Sequence, residues 1–214
     1  MSAKLRAVLW DLDGTLADSE DFHSAATVAA LAEHGISASR GRELIGQARP
    51  AAYQYLCERY QGVPDYPTFS AQVDRHLIPL LADTRPIAAS FAALQRFAGE
   101  GRSQYVVSNS LPNAVAATLA ALDADRYIRG WIANDGKADA KPAADPYLRA
   151  LAAIGCDPDG AVVIEDSHAG TASAHAAGLF VIGVGENHDQ IGADASYATF
   201  PDLSPEQIIA GVGK

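Results

Sequence analysis

The sequence predicts a doubly wound α/β fold: a parallel sheet with a small all-helical cap inserted after its first strand. Three observations predict it. Short apolar runs alternate with amphipathic stretches of roughly ten residues, the pattern of βαβ units. Residues 17–83 interrupt that alternation with four helical stretches and no convincing strand. Several apolar runs end abruptly in polar or charged groups, which an open parallel sheet collects in the crevice beyond its strand ends.

The first run, Leu5-Arg6-Ala7-Val8-Leu9-Trp10, is short and carries no helix cap, so it reads as a buried strand. It ends in Asp11-Leu12-Asp13-Gly14-Thr15, two carboxylates spaced i, i+2 followed by a turn. Ala17-Asp18-Ser19-Glu20 then has the composition of a helix start, with Asp18 or Ser19 as cap and acids in the first turn. Phe22, Ala25, Ala26, Ala29 and Ala30 recur at helical spacing up to Gly35. Ser39 opens a short second helix through Leu44 and Ile45, ended by Gly46. Pro50 opens a third over 51–60, with Tyr53, Leu56, Cys57 and Tyr60 on one stripe; a fourth spans 69–81, with Val73, Leu77 and Leu80 inward. The predicted division is discontinuous: residues 1–16 and 84–214 form the α/β core, and 17–83 the helical cap.

Beyond Pro86 the alternation resumes. Helices are predicted over 87–98, 112–122, 144–154, 168–177 and 204–211, and strands over 103–107, 130–133, 161–164, 179–184 and 196–198.

Composition narrows the function. With 214 residues, 49% of them hydrophobic, the chain can bury one good core, or a core and a small second domain. The formal net charge is −10 and there is no Lys/Arg run, which argues against nucleic acid or an anionic membrane as partner. Positive charge for an anionic ligand must then be local. Cys57 and Cys156 lack metal-ligand spacing and read as two buried thiols, as suits a reducing compartment. The apolar stretch after Lys4 and Arg6 is broken by Asp11 and Asp13, so it is neither a signal peptide nor a membrane span, and a cytoplasmic location is expected.

Three later segments carry chemistry. Ser108-Asn109-Ser110 follows the strand Tyr105-Val106-Val107; a hydroxyl at a strand end before a helix suits a phosphate, although Ser and Asn cap helices as readily. Lys141-Pro142-Ala143-Ala144-Asp145-Pro146-Tyr147 offers a point charge, with Lys137 as a rival that lacks the pattern that follows. Val162-Val163-Ile164-Glu165-Asp166 repeats the logic of the first run. Adjacent carboxylates at a strand end are costly unless they are solvated or share a cation.

In this order and spacing the four motifs resemble those of the haloacid dehalogenase superfamily over nearly the whole chain, and the insert after the first motif resembles its helical-cap subclass. Asp18-Ser19-Glu20-x-x-His23 and Lys141-Pro142-x-x-Asp145-Pro146-Tyr147 are most similar to the β-phosphoglucomutase and sugar-phosphatase branch. The resemblance implies phosphoryl transfer through an aspartyl phosphate on Asp11. It implies Mg²⁺ held by Asp11, the main-chain carbonyl of Asp13 and Asp166, with Glu165 as a further ligand or as an acceptor behind them. Asp13 would be general acid and then base, with its pKa raised so that it keeps a proton at neutral pH. Ser108, the Asn109 amide and Lys141 would surround the phosphate oxygens, with Thr15 shaping the loop and touching phosphate. The insert would be a lid, with His23 facing the crevice and Arg49 at a substrate-binding position.

The expected partner is a small phosphorylated metabolite, a sugar phosphate first, with phosphoglycolate and a nucleotide monophosphate as other candidates. In β-phosphoglucomutase a basic residue closely follows the second motif. Leu111, Pro112 and Asn113 stand there in this chain, which favours a hydrolase over a mutase. Residues 17–83 contain no Lys, against a phosphonoacetaldehyde hydrolase, whose cap lysine forms a Schiff base. Asp13 and Asp166 argue against a dehalogenase. A mutase, and a non-catalytic phosphate- or metal-binding module on the same fold, are the alternatives.

Overall fold

The computed structural model describes residues 5–39 and 48–211. Strand β1 (Ala7–Trp10) leads through a two-residue strand β2 (Ala17–Asp18) into helices α1 (Glu20–Ala32), α2 (Arg49–Arg59) and α3 (Tyr66–Leu81). The chain returns through β3 (Arg85–Pro86). It then alternates: α4 (Ala88–Gly99), β4 (Ser103–Val107), α5 (Pro112–Ala121), β5 (Gly130–Ile132), α6 (Asp145–Ile154), β6 (Ala161–Glu165), α7 (His168–Ala176), β7 (Phe180–Val184), β8 (Ala195–Tyr197) and α8 (Pro205–Gly211).

Six strands form one parallel sheet in the order β5-β4-β1-β6-β7-β8. The order turns back at β1, which pairs with β4 on one side and β6 on the other. The C-terminal ends of these three strands therefore open on one crevice.

The sheet is covered on both faces, which is why its strands read as apolar runs rather than alternations. Successive β1 side chains point to opposite faces. Val8 and Trp10 pack with Leu94, Phe97, Val106 and Ile164; Ala7 and Leu9 pack with Tyr147, Leu151, Val163 and Val181. The indole of buried Trp10 donates to Gln104 Oε1 at 2.9 Å, and the Gln104 amide donates to the carbonyls of Leu94 and Tyr127, so this polar pair enters the core satisfied.

Helices α1 to α3 have an apolar cluster of their own, with Ala26, Ala30, Leu31, Leu56, Phe69, Val73 and Leu77, joined by Ala114 of α5 at one seam. The two connections between these helices and the sheet run side by side, because β2 and β3 pair antiparallel, Ala17 against Pro86 and Asp18 against Arg85. Neither strand of this ribbon is predicted from the sequence, because two residues per strand carry no readable period. The helix predicted from Ser39 to Gly46 lies outside the described residues from position 40 on. Helix α3 starts at Tyr66, earlier than predicted, because Asp65 caps it by accepting from the Thr68 amide at 2.9 Å and Pro67 fits the first turn.

Cys156 is buried as expected, but Cys57 is exposed: helix α2 buries only Leu56. Among the described residues no helix is long and apolar enough to cross a membrane.

Candidate active site

Asp11 follows β1 directly, and its amide donates to Ile164 O of β6 at 2.9 Å, so the sheet ladder itself fixes its backbone. Glu165 ends β6, Ser108 follows β4, and Lys141 lies in the connection from β5 to α6. Lys141 Nζ reaches between strand ends, 2.7 Å from Asp11 Oδ1 and 2.6 Å from Glu165 Oε1. Its side chain is only 2% exposed, against 81% for Lys137, which separates the two lysines that the sequence offered. The Asn109 side chain sets the Lys141 backbone: its Oδ1 accepts from the Lys141 amide at 2.9 Å and its Nδ2 donates to the Lys141 carbonyl at 3.2 Å. Tyr147 lies under the ammonium, 5.1 Å from Nζ to the ring centroid.

Glu165 is fully buried, and its two oxygens accept five hydrogen bonds. They come from Lys141 Nζ, the Tyr147 hydroxyl, the amides of Asp166 and Ser167, and the Ser167 hydroxyl. Ser167 also caps α7 by accepting from the Gly170 amide at 3.0 Å. Space behind Glu165 is tight: a Cβ on Gly170 would stand 1.6 Å from Glu165 Oε1. In an ordinary exposed helix Gly→Ala stabilises by about 1 kcal/mol. Here Gly170→Ala is expected to destabilise by about 2–4 kcal/mol, because it displaces a five-bonded buried carboxylate; a urea unfolding series reads the sign directly.

The carboxylate oxygens of Asp11, Glu165 and Asp166 lie within 4.8 Å of one another. Burial pushes the Asp11 carboxyl well above its ordinary range; Lys141 pulls it down, while Glu165, Asp166 and Asp13 add to the rise. Asp166 is raised by burial, then by Glu165 and Glu20. Glu20, beside them on α1, is pushed up to about 7 by burial and Asp13. One ammonium cannot balance this many acids. The set is all-oxygen and hard, and a divalent cation among Asp11 and Asp166 fits it. Thr15 is fully buried, and its hydroxyl donates to Asp166 Oδ1 at 3.3 Å. A Cβ on Gly14, whose φ is +83°, would stand 2.1 Å from Asp166 Oδ2, so the turn after Asp13 needs glycine for both conformation and room.

Asp13 differs from expectation. Its carboxylate accepts from four side chains: Ser19 Oγ at 2.6 Å, Ser110 Oγ at 2.8 Å, His23 Nε2 at 3.1 Å and Ser108 Oγ at 3.2 Å. Burial alone would raise it, but the His23 charge and the bonds from His23, Ser19 and Ser110 hold its pKa below the ordinary range instead of above it. Burial would lower His23 in turn, and Asp13 more than offsets this, so His23 is raised. Ser19 stands at the N-cap of α1 without making a cap bond; its hydroxyl serves Asp13.

This ion pair has a defined pH window. The share of Asp13 is present above its unfolded value of about 4 and is lost on acidification; the share of His23 is present below about 6.5 and is lost as pH rises through its folded value. In the metal-free protein the His23 ring should titrate, by NMR, above the ordinary histidine midpoint, and Asp13→Asn should return it towards that value. An unshifted wild-type midpoint would contradict the pairing.

A cleft between the strand ends and helices α1 to α3 is lined by Asp11, Asp13, His23, Arg49, Ser108, Asn109, Lys141 and Asp166 among others. Eight of the ten residues singled out in the sequence thus line one cleft; Thr15 and Glu165 stand behind it. Ser19, Ser110 and Tyr147 also contribute side chains to this site; the sequence motifs contain all three, but nothing in their pattern assigns them a role.

The model for the family "haloacid dehalogenase-like hydrolase" matches residues 8–184. The chain belongs to this family. Other haloacid dehalogenase-like hydrolases resemble it over most of their length. Protein CbbY of Rhodobacter capsulatus is 30% identical, covering 94% of this chain and 95% of its own. A phosphoglycolate phosphatase of Cupriavidus necator is 31% identical over 84% of this chain and 80% of its own, and a β-phosphoglucomutase of Mycobacterium tuberculosis 30% identical over 90% and 85%. Among solved structures, CbbY of Rhodobacter sphaeroides in complex with xylulose-(1,5)-bisphosphate superposes with a TM-score of 0.81 at 25% identity, covering 94% of this chain and 96% of that one.

Proposed function

We propose that this haloacid dehalogenase-like hydrolase is an Mg²⁺-dependent phosphatase of a small phosphorylated metabolite, a sugar phosphate above all. The observation that carries the reading is Lys141, a buried ammonium held 2.7 Å from Asp11 at the floor of a cleft. It pairs a nucleophile with a cation where an incoming phosphate must lie. Relatives that are phosphatases, and a neighbour solved with a sugar bisphosphate, support the substrate class.

In the first step a carboxylate oxygen of Asp11 attacks phosphorus and the bond to the leaving oxygen breaks, giving an aspartyl phosphate. Lys141, the Ser108 hydroxyl and the Asn109 amide stabilise the equatorial oxygens. The leaving oxygen needs a proton. His23 Nε2, 3.1 Å from Asp13 Oδ1, would supply one, and Asp13 would hand it on. In the second step water attacks the same phosphorus, its proton returns to Asp13, and inorganic phosphate leaves Asp11. Asp11, the main-chain carbonyl of Asp13 and Asp166 would hold Mg²⁺. When bound it supplies the positive charge that keeps Asp11 ionised and offsets the phosphate dianion. Glu165, with five bonds already made, holds Lys141 and the Asp166 turn in place.

Residues 17–83 would serve as a cap over the core of 1–16 and 84–214, and exclude bulk water when closed. Two cysteines without a disulfide, a formal net charge of −10 and a sequence without a Lys/Arg run support a cytoplasmic setting without nucleic acid or membrane. Leu111, rather than a basic residue, lines the cleft after Ser110, and this favours the hydrolase over a mutase.

The test is phosphate release from a panel of sugar monophosphates, phosphoglycolate and nucleotide monophosphates with Mg²⁺. Release fastest from sugar phosphates is expected. A folded protein that releases phosphate from none of them overturns the reading.

A further inference from the structure

The cap side of the cleft carries a pairing that the chemistry above does not use. Arg49, in the first turn of α2, lines the cleft beside Thr27, Ala52, Phe69 and Val73. Its guanidinium is turned onto α3, where Nη1 donates to the Ser70 carbonyl at 3.2 Å, to Ser70 Oγ at 3.1 Å and to Asp74 Oδ1. The other Asp74 oxygen accepts from Asn113 Nδ2 at 2.9 Å, and Asn113 lies in the first turn of α5, on the core. Asp74 is thus gripped from both sides, by the cap arginine and by a core amide. We propose that Asp74 determines specificity: by neutralising Arg49 it fits the cleft to a sugar with one phosphate and an uncharged far end, and against a bisphosphate. The inference rests on the phosphatase reading for the place of the first phosphate beside Asp11.

Among the described residues that line the cleft, Lys141 and Arg49 are the Lys/Arg cations, and Lys141 is already held between Asp11 and Glu165. A second phosphate would bring up to two more negative charges and would need Arg49. The charge of Arg49 is matched by Asp74, with the two side chains 11% and 23% exposed, so solvent screens the pair little. A phosphate taking Arg49 would have to displace Asp74 or lie against it, and either costs what the new contact gains. The rest of this wall suits a neutral group: Ala52, Phe69 and Val73 offer apolar contact, and Ser24 and Thr27 offer hydroxyls. Selection here acts by exclusion of the wrong charge as much as by attraction.

The experiment measures binding of glucose 1-phosphate and glucose 1,6-bisphosphate, with Mg²⁺, by calorimetry. It uses chains carrying Asp11→Asn so that neither sugar turns over. Asp74→Asn and Arg49→Gln are added singly and together. The Asp11→Asn parent is expected to bind the two sugars with an affinity ratio near one. Adding Asp74→Asn should raise the ratio in favour of the bisphosphate by about tenfold, the worth of one charge-assisted hydrogen bond to a released guanidinium. Arg49→Gln on that background should remove the gain. A parent that prefers the bisphosphate by more than about threefold, or an Asp74→Asn ratio that moves by less, overturns the proposal. The parent ratio decides it even where Asp74→Asn fails to fold. Phosphate release by the unmutated chain from any member of the panel above tests the phosphatase reading separately. Release with an unmoved ratio overturns this proposal alone, and a shifted ratio without release overturns the phosphatase alone.

Discussion

Replacing Asp11 by Asn should lower phosphate release by on the order of 10⁴-fold or more, since it removes the attacking atom and not a supporting contact. Stability should not fall with activity. Burial works against the Asp11 carboxylate, whose pKa is driven up despite Lys141, so the ionised group is a strain on the fold at neutral pH. Asparagine keeps the shape, removes that strain and leaves Lys141 its bond to Glu165. The variant should melt at the same temperature as the parent, or higher, while being inactive. That opposition of stability and activity marks a functional carboxylate and not a structural one. Phosphate release and a thermal melt on the same preparation measure both. Loss of activity together with a large loss of stability would assign Asp11 to the scaffold.

Lys141→Met has the second largest expected effect, and it points the other way on stability. Methionine is close to lysine in length and fills the space over Tyr147, so packing is largely kept. What is lost is the one charge lying between Asp11 and Glu165 at 2.7 and 2.6 Å. Breaking a buried pair by removing one partner costs about 3–5 kcal/mol. The lower end applies, because Glu165 keeps four of its five donors. Activity should fall by about 10²–10³-fold through loss of a phosphate-stabilising cation, beyond any loss of folded protein. Lys137→Met is the control: its side chain is 81% exposed and its nearest acid, Asp135, is 3.7 Å away, so neither quantity should move measurably. Equal effects from the two lysines would contradict the geometry.

The parts of this site that were legible in the sequence share one physical cause. A strand buried on both faces is a continuous apolar run, so the polar residue that ends it stands out. Asp11, Ser108, Glu165 and Asp166 were all found this way, and the parallel sheet then collects them. Lys141 needed more: of two lysines four residues apart, the Pro-x-x-Asp-Pro-Tyr stretch after Lys141 marks it in the sequence, and the fold buries it while leaving Lys137 exposed. Partnerships were not legible. The motif points to the Asn109 backbone amide, yet its side chain is what holds the Lys141 backbone across 32 residues of sequence.

Asp13 shows the limit most clearly. A carboxyl acting as an acid is expected to have a raised pKa, but its ionisation is set by four donors from two separate segments, Ser19 and His23 in one and Ser108 and Ser110 in the other. No local pattern announces such a convergence. Ser19 even looked like an ordinary helix cap, and its position is that of one; only its hydroxyl is turned elsewhere. In the same way Arg49 was read as a cation open to substrate, and its pairing with Asp74 depends on how α2 meets α3.

The mechanism stands on a covalent bond between phosphate and Asp11. It is tested most directly by quenching the enzyme with acid during turnover of its best sugar phosphate and reducing with borohydride, which converts an acyl phosphate to an alcohol. Mass spectrometry of the peptide holding residues 5–16 then locates the change. Reduction is expected at Asp11, and none at Asp13 or in the Asp11→Asn variant. Steady phosphate release with Asp11 unmodified in the quenched enzyme would contradict it.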